Sequence, residues 1–305
     1  MSAAGGPDPA IHRRRLRTEL RNAREAAGMT QRDVAVAMEW SQSKLIRIES
    51  GAVSISTNDL RALLAHYGVD SSRMDALLAV GRAARAATRW SHYKSVATPE
   101  LLAVLGYESY AAIIRNFEPL FVPGLLQTEE YARAVISNAG TRDPATIDSL
   151  VDLRVERQEL LFRQPPPNLH FIMDEAVIRR MTGGRDIMRA QLSQLLQLAE
   201  HEHVTIRVVP FQHGMYRFHE VAYQVFEFPD PQEEYVLYIE TPQRQIIRES
   251  ALEQVDIDPP VQYLQAFWEL EQIVTAEDSL KLIQDALAQL TKETSTLDTG
   301  EEVDQ

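Results

Sequence analysis

Residues 30–51, TQRDVAVAMEWSQSKLIRIESG, constrain this chain more tightly than any other stretch, because their start and stop signals leave room for two short helices and a tight turn. Thr30 is placed to N-cap the first helix, with Asp33 three residues on in the capping-box position. Val34, Ala35 and Met38 recur at the spacing of one buried face. Ser41 is placed to cap the second helix, in which Leu45 and Ile48 face inward. Gln42, Ser43, Lys44 and Arg47 are left on the outward side as hydrogen-bonding and cationic groups, a face suited to a nucleic-acid groove.

Charge is distributed to match. The 305 residues carry a net charge of −13, which alone argues against a polyanionic partner. Through Arg89, however, 14 lysines and arginines face 9 aspartates and glutamates, net +5, whereas the remainder has 17 against 35, net −18. A cationic segment gains by counterion release at a phosphate backbone and an acidic one is held away, so DNA should meet only the first ninety residues. The chain has no cysteine, which excludes disulfides, thiolate metal sites and cysteine nucleophiles. It also has no apolar run near the roughly 20 residues of a spanning helix, and MSAAGGPDPAIHRRR lacks the apolar core of a signal peptide. A cytoplasmic location is expected.

The N-terminal region reads as five helices within a domain of residues 1–89. Residues 1–9 are small and Gly- and Pro-containing, an expected disordered lead. A helix over 11–27 carries Arg13, Arg14 and Arg15 among other arginines, with Leu16, Leu20 and Ala23 on its packing stripe and Gly28 at its end. Each arginine suits a solvated helix face as well as a phosphate contact, and the first three suit an arm reaching a backbone. Beyond Gly51, Ser56 and Asp59 open another helix with Leu60, Leu63 and Leu64 on its core face, and residues 70–87 form a fifth.

Thr30, Gln31, Ser41, Ser43, Ile48, Glu49 and Gly51 carry a resemblance to the lambda-repressor-like helix-turn-helix of xenobiotic-response-element-type regulators. The resemblance implies a sequence-specific regulator of transcription that binds double-stranded DNA, as a homodimer on paired half-sites. Gln42, Ser43 and Arg47 are then the expected base-reading residues: Gln42 for adenine edges, Ser43 for one short contact, Arg47 for guanine O6 and N7. Gln31, Lys44, Arg13, Arg14 and Arg15 are the expected phosphate contacts. Glu49 is expected to pair inside the domain, since an anion gains nothing against phosphate. Two positions depart from the family pattern. Glu39 stands in the turn where Gly is usual, and Ile46 replaces a small polar residue beside the reading face. We expect Ile46 to widen the buried face; exposed, it would contact a thymine methyl.

Residues 90–291 read as an α+β regulatory, dimerisation and partner-binding domain with a small mixed sheet packed by helices. Thr98-Pro99 starts a helix expected to reach about residue 116, Thr128 caps the next, and Asp143-Pro144 starts one expected to run to about 164, where Pro165-Pro166-Pro167 stops it. Strand 169–173, a helical crossover and strand 204–210 make a parallel pair with right-handed connection. EVAYQVFEF, EYVLYIE and RQIIRE read as an antiparallel meander, two helices over about 260–273 and 276–290 close the domain, and residues 292–305 read as a disordered acidic tail.

VPGLLQTEEYARAVI, LRVERQ, HFIMDEAVIRR, MRAQLSQLL, VTIRVVPF and YIET, in that order between residues 122 and 241, resemble a C-terminal domain of unknown activity that accompanies this helix-turn-helix in actinobacterial regulators. The resemblance implies an antitoxin-like regulator working with a small companion protein, and the −18 balance would attract a basic one. A protein-interaction module that sequesters such a partner, with DNA binding secondary, is the alternative.

An enzyme is not expected, and neither is a cofactor. G-x-S-x-G, G-x-x-x-x-G-K and H-E-x-x-H are all missing; His219-Glu220 begins the last, but Tyr223 stands in place of its second histidine. His201, His203, His213 and His219 read as solvated loop residues, so no metal is expected. Asp174, Glu175 and Glu240 lie at strand ends, where Asp174 suits helix capping. The aromatics of HGMYRFHEVAYQVFEF suit a sheet core better than a ligand pocket.

Overall fold

Every helix of the N-terminal unit begins at a short polar side chain that accepts one of its otherwise unpaired amides. Asp8 caps α1 (Pro9–Ala26), Thr30 caps α2 (Gln31–Ala37), Ser41 caps α3 (Gln42–Glu49), Ser56 caps α4 (Thr57–His66) and Asp70 caps α5 (Ser71–Ala83). Gly28 and Gly68 end α1 and α4 at φ of 65° and 72°, values that L side chains seldom adopt. One core joins all five: Leu16, Leu20, Val34, Leu45, Ile48, Leu60, Leu64 and Leu77 are buried against one another. The structure is a computed structural model that describes residues 7–140, 143–229, 235–241, 245–249 and 259–298, with the side chains of 249 and 292–298 excepted. It divides into two compact units, Met1–His92 with Leu105–Tyr110 and Tyr93–Val104 with Ala111–Gln305.

In the second unit six strands form one mixed sheet, in the order β3-β2-β1-β4-β5-β6. The strands are β1 (Ile113–Glu118), β2 (Asn168–Asp174), β3 (Val204–Val209), β4 (Ala222–Glu227), β5 (Val236–Glu240) and β6 (Gln245–Glu249). β1, β2 and β3 are parallel, and β4, β5 and β6 continue antiparallel from β1. The expected parallel pair and meander are both present. α6 (Pro99–Tyr110) leads into β1; α7 (Glu129–Asn138) and α8 (Pro144–Arg157) connect β1 to β2; α9 (Glu175–Arg179) and α10 (Arg185–Leu198) connect β2 to β3. α11 (Pro260–Ile273) covers one sheet face, placing Tyr263, Leu264, Phe267 and Leu270 against Phe117, Ile172, Tyr223, Val225 and Leu237.

Three expectations need correction. The helix expected to reach residue 116 ends at Tyr110, and residues 113–118 are the central strand. Ile113 pairs with Asn168 on one side and with Glu227 on the other, so this strand is shielded by neighbours and lacks the alternation that would separate it from a buried helix. The helix opened by Asp143-Pro144, expected to run to about 164, stops at Arg157 and continues as a 3-10 segment, Gln158–Phe162. Helix α12 (Ala276–Asp298) runs past the boundary expected at residue 291. Residues 1–6 of the expected disordered lead and 299–305 of the tail lie outside the described residues.

Charge ties the parallel strands to α11. Glu271 accepts from Arg115 Nη1 at 3.1 Å and Arg207 Nη1 at 3.3 Å, and His170 Nδ1 lies 3.1 Å away, so one carboxylate meets β1, β2 and β3. Burial works to raise the Glu271 pKa, but His170, Arg115 and Arg207 outweigh it and hold the carboxyl below its ordinary value. A carboxyl with a lowered folded pKa adds stability above its unfolded pKa and loses it as pH falls through the folded one. Glu271→Gln should therefore be less stable than the parent at neutral pH, with the gap in urea denaturation closing as pH falls below the ordinary carboxyl value of 4.5. A gap independent of pH would show that Glu271 carries no such charge.

Candidate nucleic-acid interface

α2 and α3 are held at a fixed angle by one buried carboxylate. Glu49, 2% exposed in the last turn of α3, accepts from Arg24 Nε at 2.8 Å and Arg24 Nη2 at 3.3 Å. It also accepts from Gln31 Nε2 at 2.7 Å, so α1, α2 and α3 meet at a single charge. Burial opposes the Arg24 charge, but Glu49 overcomes this and raises the guanidinium pKa. Glu49 thus pairs within the domain, as its sequence position indicated.

Between the two helices the chain turns through Glu39, at φ 55°. Its amide donates to Val36 O at 3.1 Å and the Trp40 amide donates to Ala35 O at 2.8 Å, the paired closing bonds of a left-handed helix end. Thr30 and Asp33 complete the capping box at the start of α2, and Ser41 Oγ accepts from the Lys44 amide at the start of α3.

The first turn of α3 presents Gln42 and Ser43 to solvent, with Arg47 one turn further along. Neither the Gln42 nor the Ser43 side chain bonds another described residue. Arg47 Nε bonds only the Ser43 carbonyl, at 3.4 Å, so its guanidinium stays available. Lys44 is less free: Nζ lies 3.3 Å from Asp59 Oδ2 and 3.8 Å from the centre of the Trp40 ring. Gln31 commits one amide donor to Glu49.

Arg13, Arg14 and Arg15 do not form an arm. They ride on α1, whose first turn is capped by Asp8. Arg13 donates to Ala84 O at 3.3 Å, Arg14 is buried and Arg15 is exposed. Ile46 is 43% exposed, which corrects the expectation that it widens the buried face. The inward stripe of α3 is complete with Leu45, Ile48 and Glu49, and no core position remains for it. Sequence reasoning passed over Arg32, an exposed cation in the first turn of α2; its place beside Gln31 was the available signal.

The second unit uses its strand-end groups internally. Asp174 caps α9 through the Ala176 amide and accepts from the Tyr216 hydroxyl at 2.8 Å, while Glu175 accepts from Arg179 Nε and the Phe211 amide. Glu118, at the end of β1, was not singled out. Burial and the neighbouring Glu240 push its carboxyl up to about 8, against Asn116, Arg154 and Arg157. The His201 and His203 rings lie 5.6 Å apart, and His203 Nε2 bonds Leu161 O. Among the described residues no group of three or more acidic or histidine side chains is placed to hold a metal ion. Phe218 stacks on Tyr263 at 3.9 Å, and Tyr223 on Phe117 at 5.4 Å, so these aromatics fill the sheet core.

Residues 101–285 match the family described as Domain of unknown function (DUF5753), across more than half of the chain. The chain belongs to this family. Its residues 15–77 match a family described as Helix-turn-helix domain, which spans α2, the Glu39 turn and α3. This DUF5753 chain therefore carries an N-terminal helix-turn-helix, which points to a DNA-binding regulator. No curated protein and no solved structure matches the chain. No helix among its described residues is long and apolar enough to cross a membrane.

Glu39 provides a test of the turn. Glu39→Gly should raise the unfolding free energy by up to about 1 kcal/mol, the left-handed strain relieved less the freedom that glycine adds to the unfolded chain. Urea denaturation reads this directly, and a destabilised variant would refute strain at this residue.

Proposed function

We propose that the chain is a transcriptional regulator of the xenobiotic-response-element type that reads DNA with the exposed start of α3. The observation that carries this is a recognition-sized helix, fixed from behind by Glu49, whose outward Gln42, Ser43 and Arg47 have almost no partners in the protein. Gln42 suits adenine N6 and N7, Arg47 suits guanine O6 and N7, and Ser43 adds one short contact. Gln31 keeps a second amide hydrogen for a phosphate, and Arg13 and Arg15 remain accessible on α1. Lys44 joins them, because its pairing with Asp59 is a surface ion pair worth little against a phosphate. Arg14 is too buried to be kept in this set.

A regulator of this kind works in the cytoplasm, and paired half-sites call for two copies, so the second unit is assigned the dimer contact. The resemblance to actinobacterial, antitoxin-like regulators adds a small companion protein, and the net −18 beyond Arg89 supports a basic one. Sequestration of that companion, with DNA binding secondary, is the competing reading, supported by the same charge.

Arg47→Ala tests the DNA-reading function and should leave any partner binding unchanged. Against a duplex selected from random sequence, loss of a bidentate guanine contact should cost about 1–3 kcal/mol while binding to scrambled duplex is nearly unchanged. Equal losses on both duplexes would remove Arg47 from base reading. Light scattering should give the mass of two chains both free and on DNA; one chain per duplex would refute the dimer.

A further inference from the structure

The packing of α3 leaves one aliphatic side chain without a structural task. Leu45 and Ile48 enter the core at 0% and 4% exposure, but Ile46 keeps 43% of its surface open. Helical spacing puts Ile46 one turn after Gln42 and Ser43 and one turn before Ser50, with Arg47 adjacent, and all four are exposed. A branched apolar group therefore stands in the middle of the polar face assigned to the groove.

Exposure of a single aliphatic group is ordinary on a protein surface; what sets Ile46 apart is its place between Gln42, Ser43 and Arg47. A protein partner is a poor fit, because a lone aliphatic group among four polar neighbours is far smaller than an apolar docking patch. The major-groove floor offers a matching surface of the right size: the C5-methyl of thymine is the apolar feature that distinguishes one base edge from the others there. Rotamer cost is low, since a β-branched side chain in a helix is already confined to one preferred χ1. It loses little freedom when it meets a fixed methyl.

We propose that Ile46 is a specificity-determining residue, packing against the methyl group of a thymine beside the base met by Arg47. The inference rests on the DNA-reading function proposed above and narrows it. It requires a thymine at one defined position of each half-site, recognised through its methyl rather than through hydrogen bonds.

Deoxyuridine differs from thymidine only in that methyl, so it isolates the contact. The full chain is first used to select its preferred sequence from random duplexes. Each thymine of that sequence is then replaced singly by deoxyuridine, and affinities are read by fluorescence anisotropy. For the parent chain one replacement per half-site should weaken binding about fourfold, the worth of one buried methyl. Ile46→Ala should bind the thymine and uracil duplexes equally, while Arg47→Ala, although weaker overall, should still lose about fourfold on the uracil duplex. Ile46 is surface-exposed, so the alanine variant retains its core, which a matching thermal melt verifies. A selected sequence indifferent to every uracil, or an Ile46→Ala chain that responds to uracil as the parent does, overturns the proposal while DNA reading stands. Selection of no sequence at all overturns both.

Discussion

A carboxylate buried in the last turn of α3 sets the terms for the whole N-terminal unit. Glu49 sits where a helix dipole disfavours negative charge, and an uncompensated buried anion costs several kcal/mol. Its position is tenable only with Arg24 and Gln31 in place. α2 and α3 have 7 and 8 residues, too few turns for helices that must hold their own geometry in water. The shared core through Val34, Leu45 and Ile48 supplies the driving force, and the Glu49 contacts select one arrangement among those the core would tolerate. That arrangement leaves Gln42, Ser43, Ile46 and Arg47 exposed on the opposite face of α3.

The second unit solves a comparable problem with the same chemistry. Three parallel strands carry Arg115, His170 and Arg207 on one face, where α11 also packs, and Glu271 of α11 answers all three. Arg115 is held from a second side by Glu227 of β4, so the central strand is tied to both halves of the mixed sheet. Apolar packing between Phe267, Tyr223 and Phe117 closes the same face further along. The two units thus share a design in which a helix carboxylate fixes the orientation that apolar burial alone would leave loose.

Legibility in the sequence followed the range of the interaction involved. Caps at Thr30, Ser41, Ser56, Thr128 and Asp143 were readable because each depends on an amide three residues away. The parallel pair and the meander were readable from the lengths of their connections. β1 was not, because Ile113 and Ile114 make equal sense in a buried helix until Asn168 and Glu227 are known to flank them. In the candidate interface, Gln42, Ser43 and Arg47 were legible as an outward face from helical periodicity. The burial of Arg14, the Asp59 contact of Lys44 and the exposure of Ile46 were not, since each depends on where another element lies.

By itself the sequence determined that residues 30–51 are two capped helices around a turn, and that the segment containing them is net positive while the remainder is net negative. Both are local properties, carried by hydrogen bonds within one helical turn and by simple composition. Only the tertiary structure decided which outward residues stay free. Gln31 and Lys44 reach carboxylates on other helices, whereas Gln42, Ser43, Ile46 and Arg47 reach none. The physical reason is that availability is a property of surroundings, set by core packing between distant segments and by the need of each buried charge for a partner.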